Sequence, residues 1–110
     1  SALIICPTSL KYQWKKEIER FTDAKAIVVE GNHLTRKVLY GAEEFYKIVS
    51  YNSVCNDIKI LKSLHTDFLI MDEVQRLKNW NTQISKAARH IESDYSVILS
   101  GTPLEIESGT

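Results

Sequence analysis

Five short apolar runs alternate along the chain with segments in which apolar residues recur every three or four positions. Such runs are typical of strands in a buried parallel sheet, and such segments are typical of amphipathic helices. The predicted strands are Ala2–Cys6, 26–30, Tyr46–Ser50, 68–71 and 95–99. Because right-handed crossovers place the intervening helices on both sides of a sheet, this order predicts a three-layer parallel α/β fold.

The first predicted helix carries one apolar stripe, formed by Leu10, Trp14, Ile18 and Phe21. We interpret this stripe as core and assign no cofactor role to Trp14. Further helices are predicted over 34–40, 54–64 and 82–91. His33 falls in a predicted turn and His65 at a predicted helix end, so neither histidine is interpreted as a ligand.

Two adjacent carboxylates, Asp72 and Glu73, directly follow the apolar run 68–71, which is predicted to be buried on both faces. Open parallel sheets build their binding sites at the carboxyl ends of the strands. Nucleotide-hydrolysing folds place there an aspartate that holds magnesium and a group that orients water. We therefore interpret Asp72 as a metal carboxylate and Glu73 as a general base. The alternative is that the pair only marks a solvated strand end.

Hydroxyl side chains lie at the ends of several other predicted strands or shortly after them. If the strands are parallel, these residues gather at the same sheet edge as the two acids. They are Thr8, Ser9, Ser50, Ser100 and Thr102. This shared edge is the strongest functional signal in the pattern of residues.

The amino-acid composition narrows the classes of protein to which the chain could belong. The chain has 110 residues, enough for one small domain, and 44% of them are apolar. Its 14 basic and 14 acidic residues balance, which argues against a polybasic nucleic-acid binder. The cysteines, Cys6 and Cys55, fit no metal-binding spacing and are interpreted as reduced core thiols. No apolar run reaches the length of a membrane span.

Four segments in register resemble motifs of one protein family, the Swi/Snf branch of superfamily-two helicases. Residues 3–10 (LIICPTSL), with Gln13, Trp14 and Glu17, are similar to motif Ia. Residues 48–51 (IVSY) resemble motif Ib, residues 72–79 (DEVQRLKN) resemble motif II with its extension, and residues 100–105 (SGTPLE) resemble motif III.

This resemblance implies a DNA-dependent ATPase and translocase built from two RecA-like lobes, of which residues 1–110 form part of the first. It implies ATP and Mg²⁺ as cofactors, and double-stranded DNA and the second lobe as partners. Asp72 would hold Mg²⁺ through water, and Glu73 would position the attacking water. Gln75 would sense the nucleotide and contact motif III.

The resemblance also implies roles in DNA binding and coupling, each with a structural alternative. Thr8 and Ser9 would touch the DNA backbone, or they form a plain helix cap. Tyr51 and Asn52 would face DNA, or they pack at a strand end. Ser100 and Thr102 would couple ATP hydrolysis to DNA binding, or they form a turn before Pro103.

The sequence also departs from the family pattern. Val74 and Gln75 stand where Ala-His is commonest, and Ile106 stands where asparagine is usual. Glutamine at position 75 favours a bacterial, cytoplasmic protein, whereas a eukaryotic one would be nuclear.

The phosphate-binding loop Gly-x-x-x-x-Gly-Lys-Ser/Thr does not occur in these 110 residues. In the family it would precede residue 1, and the second lobe would follow residue 110. We therefore expect the chain alone to hydrolyse no ATP and to bind nucleotide weakly. Without the loop's strand, residues 97–100 would form an exposed apolar edge that pairs with another copy or is covered by the tail.

Two other functions remain open on the sequence alone. A degenerate, non-catalytic α/β lobe would serve as a DNA- or protein-binding module, and a broken phosphate loop in the parent gene would favour it. A receiver-type phospho-acceptor domain also places acids at strand ends. It would carry a lysine after the last strand, where this chain has Ser100 and Gly101.

Overall fold

The computed structural model describes residues 1–73 and 85–99, and within them the predicted parallel sheet is confirmed. Its strands lie in the order β2-β3-β1-β4-β5, and every neighbouring pair is parallel. The strands are β1 Ala2–Cys6, β2 Ala26–Val29, β3 Tyr46–Ser50, β4 His65–Asp72 and β5 Glu92–Leu99. The helices are α1 Lys11–Phe21, α2 His33–Tyr40, α3 Tyr51–Asn56, α4 Ile58–Leu61 and α5 Ser85–Arg89, and a 3₁₀ turn, Thr8–Leu10, precedes α1.

Strand β1 forms the centre of the core, with every residue buried. Because alternate side chains of a strand face opposite sides of the sheet, β1 contributes to two separate clusters. Leu3 and Ile5 pack with residues of α2, α3 and α4. Ile4 and Cys6 pack with Ile18 of α1 on the other side. Helices therefore cover both faces, as a three-layer fold requires.

The prediction that β4 is buried on both faces was wrong. Among its apolar residues only Leu69 is fully buried, whereas Phe68 is 43% exposed and stacks on Tyr95 of β5 at a centroid distance of 5.6 Å. The strand is also longer than predicted and begins at His65. His65 lies in the ladder opposite Glu92 and contacts Asp94 at 3.2 Å, so it does not end a helix.

The predicted helix 54–64 is two helices, α3 and α4, which are separated at Asp57. The Asp57 side chain is completely buried and accepts hydrogen bonds from Arg36 and Tyr40 of α2. Its backbone has φ −111° and ψ 23°, outside the α-helical region. The side chain that breaks the helix also joins it to α2.

Three smaller differences concern helix ends. Helix α2 begins at His33, one residue earlier than predicted, because the Asn32 side chain caps it by accepting from the Thr35 amide at 2.8 Å. Phe21 is 70% exposed under the Arg20 guanidinium and is not core. Helix α5 ends at Arg89, before Ile91, and residues 82–84 of its predicted range lie outside the described part.

Strand β5 lies last in the described sheet and presents an apolar surface. Val97 is 46% exposed and Ile98 is 57% exposed. The predicted exposure of this edge is therefore confirmed for the residues described, and Ser100 lies outside them. Across residues 1–73 and 85–99, no helix is long and apolar enough to cross a membrane.

Candidate functional site

The parallel register brings those predicted site residues that the structure describes to one sheet edge. Cys6 pairs with Ser50, and Asp72 pairs with Leu99, so these strands end at nearly the same level. The residues that follow them are Thr8 and Ser9 after β1, Tyr51 and Asn52 after β3, and Glu73 after β4. Three predicted site residues lie outside the described part: Gln75, Ser100 and Thr102.

Asp72 is the last residue of β4 and is held by two hydrogen bonds. The indole Nε1 of Trp14 donates to Asp72 Oδ2 at 2.8 Å. The hydroxyl of Tyr51 donates to the Asp72 carbonyl at 2.7 Å. The carboxylate lines a cleft of about 300 Å³ together with residues of the first turns after β1, namely Leu10, Gln13, Trp14 and Glu17. It is therefore both fixed in place and reachable from outside.

Glu73 turns the chain sharply away from the strand. Its φ of 55° is the single positive value at a non-glycine position in residues 1–73 and 85–99. Its amide donates to the Leu99 carbonyl at 3.1 Å, which joins the ends of β4 and β5. A side chain costs energy in this left-handed conformation, and such strain concentrates at functional sites. Because of this turn, the Cα–Cβ bond of Glu73 does not continue the alternation of side chains along β4.

Tyr51 occupies the core, not the surface. Its side chain is only 2% exposed, so it offers little to a DNA backbone, and its hydroxyl is engaged with Asp72. Burial, and then the negative charge of Asp72, raise the pKa of the Tyr51 phenol well above its usual value of 10. The phenol therefore stays a neutral donor. The predicted DNA contact at Tyr51 is not what this geometry favours; packing at the strand end is.

Thr8, Ser9 and Asn52 are exposed at the same edge. Thr8 and Ser9 do not cap α1. Leu10 occupies the cap position, and its side chain has no atom that could accept a hydrogen bond there. Ser50 instead caps α3, accepting from the Ser53 amide at 3.3 Å. Thr8 and Ser9 are thus exposed residues at the end of the fully buried strand β1.

The described residues contain no cluster of three or more metal-binding side chains. Mg²⁺ in phosphoryl-transfer sites is bound by one or two carboxylates, with water and phosphate supplying the other ligands. The Trp14 bond uses one of about four acceptor positions on the Asp72 carboxylate. The site therefore fits Mg²⁺ held through Asp72. Cys6 does not fit as a ligand, because burial and the nearby Asp72 charge raise its thiol pKa to about 12.

Trp14, which the sequence predicted only as core, also belongs to the site. The apolar stripe accounted for its ring, but the indole also carries one N–H, which needs an acceptor when the ring is packed against a core. Trp14 is half-buried, packs against the cluster that contains Ile18, and donates to an acceptor 58 positions along the chain. The sequence therefore indicated that this N–H needs an acceptor, but it did not indicate which residue accepts the hydrogen bond.

The amino-acid sequence is similar to those of known proteins from one family. A family model described as "SNF2-related domain" matches residues 1–108. The chain is 33% identical to an uncharacterized ATP-dependent helicase of Mycoplasma genitalium and 31% identical to the ISWI chromatin-remodeling complex ATPase ISW1 of Saccharomyces cerevisiae. Each match covers 94% of this chain, which spans only 10% of either relative.

A solved structure shows the same fold. It is the Sulfolobus solfataricus SWI2/SNF2 ATPase core in complex with dsDNA, with a TM-score of 0.78 and 28% identity. The match covers 97% of this chain and 22% of that one. The resemblance in the sequence motifs and the resemblance in the fold therefore indicate the same family.

Proposed function

The chain belongs to the SNF2-related domain family, and from that premise we propose that it forms part of the first RecA-like lobe of an ATP-hydrolysing motor that translocates on double-stranded DNA. The observation that carries this proposal is Asp72, a carboxylate held at the end of a parallel strand and exposed to a cleft. Its neighbour Glu73 lies in a strained turn at the same edge. Both positions suit phosphoryl transfer, which depends mainly on positioning and charge.

In the proposed motor, Asp72 would hold Mg²⁺ through a water molecule. Bound there, Mg²⁺ would supply positive charge that neutralises the charge developing on the transferring phosphoryl group. Glu73 would orient the attacking water and take its proton. Gln75 would sense the nucleotide state, and Ser100 and Thr102 would pass that state to the DNA-binding surface; these three roles rest on the family resemblance.

Thr8, Ser9 and Asn52 would contact the backbone of duplex DNA. Their exposure supports this, as does the adjacency of β1 and β3, which places both groups at one edge. Neutral hydroxyl and amide groups bind phosphate oxygens without reading base sequence. Tyr51 is left out of this surface because its side chain is buried.

Duplex DNA is expected to stimulate ATP hydrolysis by the full-length protein. Combining Thr8→Ala, Ser9→Ala and Asn52→Ala is expected to raise the DNA concentration for half-maximal stimulation by about 10-fold or more, because each lost neutral hydrogen bond is worth about 0.5–1.5 kcal/mol. Steady-state ATPase assays across DNA concentrations measure this. Since no charge is removed, the slope of log affinity against log salt should stay the same.

Two controls accompany this assay. Ser63→Ala removes an exposed hydroxyl far from the site edge, one that donates to the Ile60 carbonyl, and should leave stimulation unchanged. The 110-residue chain alone should hydrolyse no ATP, because the family's phosphate loop is not among its residues. Full-length protein whose ATPase activity does not respond to duplex DNA would contradict the proposed DNA motor, and full-length protein without any ATPase activity would favour the degenerate, non-catalytic binding module.

The exposed β5 edge would also allow the 110-residue chain to self-associate. Unpaired edge strands with apolar side chains pair readily with other chains, and a lysine on the edge opposes this. Val97→Lys is therefore expected to convert a concentration-dependent dimer into a monomer in sedimentation equilibrium. Val38→Lys changes a 73% exposed valine on α2 and should leave the dimer intact. A wild-type chain that stays monomeric at all concentrations would contradict self-association.

A further inference from the structure

Trp14 and Tyr51 approach Asp72 from opposite faces of the sheet. Trp14 packs against the cluster that contains Ile4 and Ile18, on the α1 side. Tyr51 belongs to the cluster on the other side, which contains Leu3 and Ile5. One residue holds the side chain of Asp72, and the other holds its backbone carbonyl. The final residue of β4 is therefore fixed by one donor from each layer of helices.

The bond from Trp14 is suited to orienting a carboxylate. An indole N–H is a donor only, so it cannot compete with the carboxylate for a metal. At 2.8 Å from Oδ2 it forms a charge-assisted hydrogen bond, and the half-buried ring that carries it packs against the cluster that contains Ile18. The remaining acceptor positions of the carboxylate stay available to a metal-bound water.

We infer that Trp14 is a positioning residue for the magnesium carboxylate Asp72, with Tyr51 as its backbone counterpart. This inference rests on the proposed function, in which Asp72 holds Mg²⁺. Partners that hydrogen-bond to a metal-binding carboxylate orient it, and their removal typically costs about 10–100-fold in metal affinity or activity. In addition to its packing in the apolar stripe, Trp14 would thus orient the Asp72 carboxylate.

Trp14→Phe separates packing from positioning, because phenylalanine keeps an aromatic ring and lacks the N–H. In the full-length protein we expect the Mg²⁺ concentration for half-maximal ATPase activity to rise about 10-fold, with a lower kcat. The affinity for duplex DNA should be unchanged. A merely structural tryptophan would alter thermal stability and leave the Mg²⁺ requirement where it is.

Tyr12→Phe is the matched control on the same helix. It removes the hydroxyl that donates to Glu30, a bond between an aromatic side chain and a carboxylate outside the site. It should leave the Mg²⁺ requirement unchanged. Tyr51→Phe, which frees the Asp72 carbonyl, is expected to raise the Mg²⁺ requirement by less than Trp14→Phe does, because it touches the backbone and not the carboxylate.

A second readout requires no ATPase activity. The chain has two tryptophans, Trp14 and Trp80, so the one indole N–H resonance that remains in the ¹⁵N-labelled 110-residue variant Trp80→Phe belongs to Trp14. Asp72→Ala should shift this resonance and accelerate its exchange with solvent, and Glu43→Gln, at the opposite sheet edge, should do neither. An unmoved resonance in Asp72→Ala would overturn the inference even if Trp14→Phe failed to fold.

The outcomes separate the two proposals. Wild-type protein without Mg²⁺-dependent ATPase activity would overturn the proposed function, and the positioning role with it. Active wild-type protein, combined with equal Mg²⁺ requirements for Trp14→Phe and Tyr12→Phe, would overturn only the positioning role. A 10-fold difference between these two variants supports it.

Discussion

Replacing Asp57 with asparagine is expected to lower the free energy of unfolding of the chain by about 3–5 kcal/mol, the usual cost of breaking a buried ion pair. Asp57 is fully buried, and the Arg36 side chain opposite it is 13% exposed. Removing the charge leaves a largely buried guanidinium without its counterion. Since domains of this size are stable by only about 5–15 kcal/mol, the loss takes a large share of the total.

The contacts explain why the effect is large. Arg36 donates to both carboxylate oxygens of Asp57, at 2.8 and 2.7 Å, and the Tyr40 hydroxyl donates at 2.8 Å. The distance from His33 Nδ1 to Asp57 Oδ1 is 3.4 Å. Arg36 also donates to the Gly31 carbonyl, so the network joins the start of α2 to the junction of α3 and α4. An asparagine amide would point an N–H group at one of these donors.

The loss should depend on pH. Burial alone would raise the pKa of Asp57, but hydrogen bonds from Arg36 and Tyr40 outweigh it and hold the pKa below its usual value of 3.8. A carboxyl group with a depressed folded-state pKa contributes its stability fully above the unfolded value, and this is lost as pH falls through the folded value. The difference between wild type and Asp57→Asn should be constant from pH 7 to 5 and shrink below about pH 4.

Urea denaturation of the 110-residue chain at several pH values measures both expectations. Asp94→Asn is the matched control: Asp94 is paired with His65 on the surface, and such pairs are worth at most about 1 kcal/mol. The double variant Arg36→Met and Asp57→Asn should lose less than the sum of the two single variants, because each single change breaks the same pair. Equal losses for Asp57→Asn and Asp94→Asn would show that the network contributes little.

Two of the five strands could be predicted to the residue. Ala2–Cys6 and Tyr46–Ser50 have the predicted bounds, because Pro7 stops the first and the Ser50 cap starts a helix after the second. β4 was predicted too short. Its polar residues His65 and Thr66 join the ladder through backbone pairing with β5, and side-chain polarity does not report such pairing.

The interactions that the sequence did not predict are those between residues far apart in the chain. The break at Asp57 depends on Arg36 and Tyr40, which lie 21 and 17 positions earlier. The orientation of Asp72 depends on Trp14, 58 positions earlier. Local periodicity places each residue on an element, but it does not say which side chains two packed elements bring together. Asp72 and Glu73 could be predicted as site residues because the two carboxylates are adjacent in the sequence.

Glu73→Gln is expected to lower kcat for ATP hydrolysis by the full-length protein by about 100-fold or more. General acid–base catalysis by a positioned side chain contributes about 10²–10⁴-fold, and an amide cannot take a proton from the attacking water. Glutamine keeps nearly the same shape and can still orient that water, so KM for ATP and the affinity for duplex DNA should change little. A loss confined to kcat is the signature of an interaction made in the transition state.

ATPase assays with saturating duplex DNA measure this, and Glu43→Gln is the control. Glu43 is exposed just before β3, at the sheet edge opposite the site, so the same chemical change there should leave kcat unaltered. Circular dichroism should show the same fold in both variants. If Glu73→Gln hydrolyses ATP as fast as Glu43→Gln does, Glu73 is not the base, and its strained backbone serves only the turn that joins β4 to β5. If kcat falls while both binding constants hold, the strained turn has the function of placing the base beside the water.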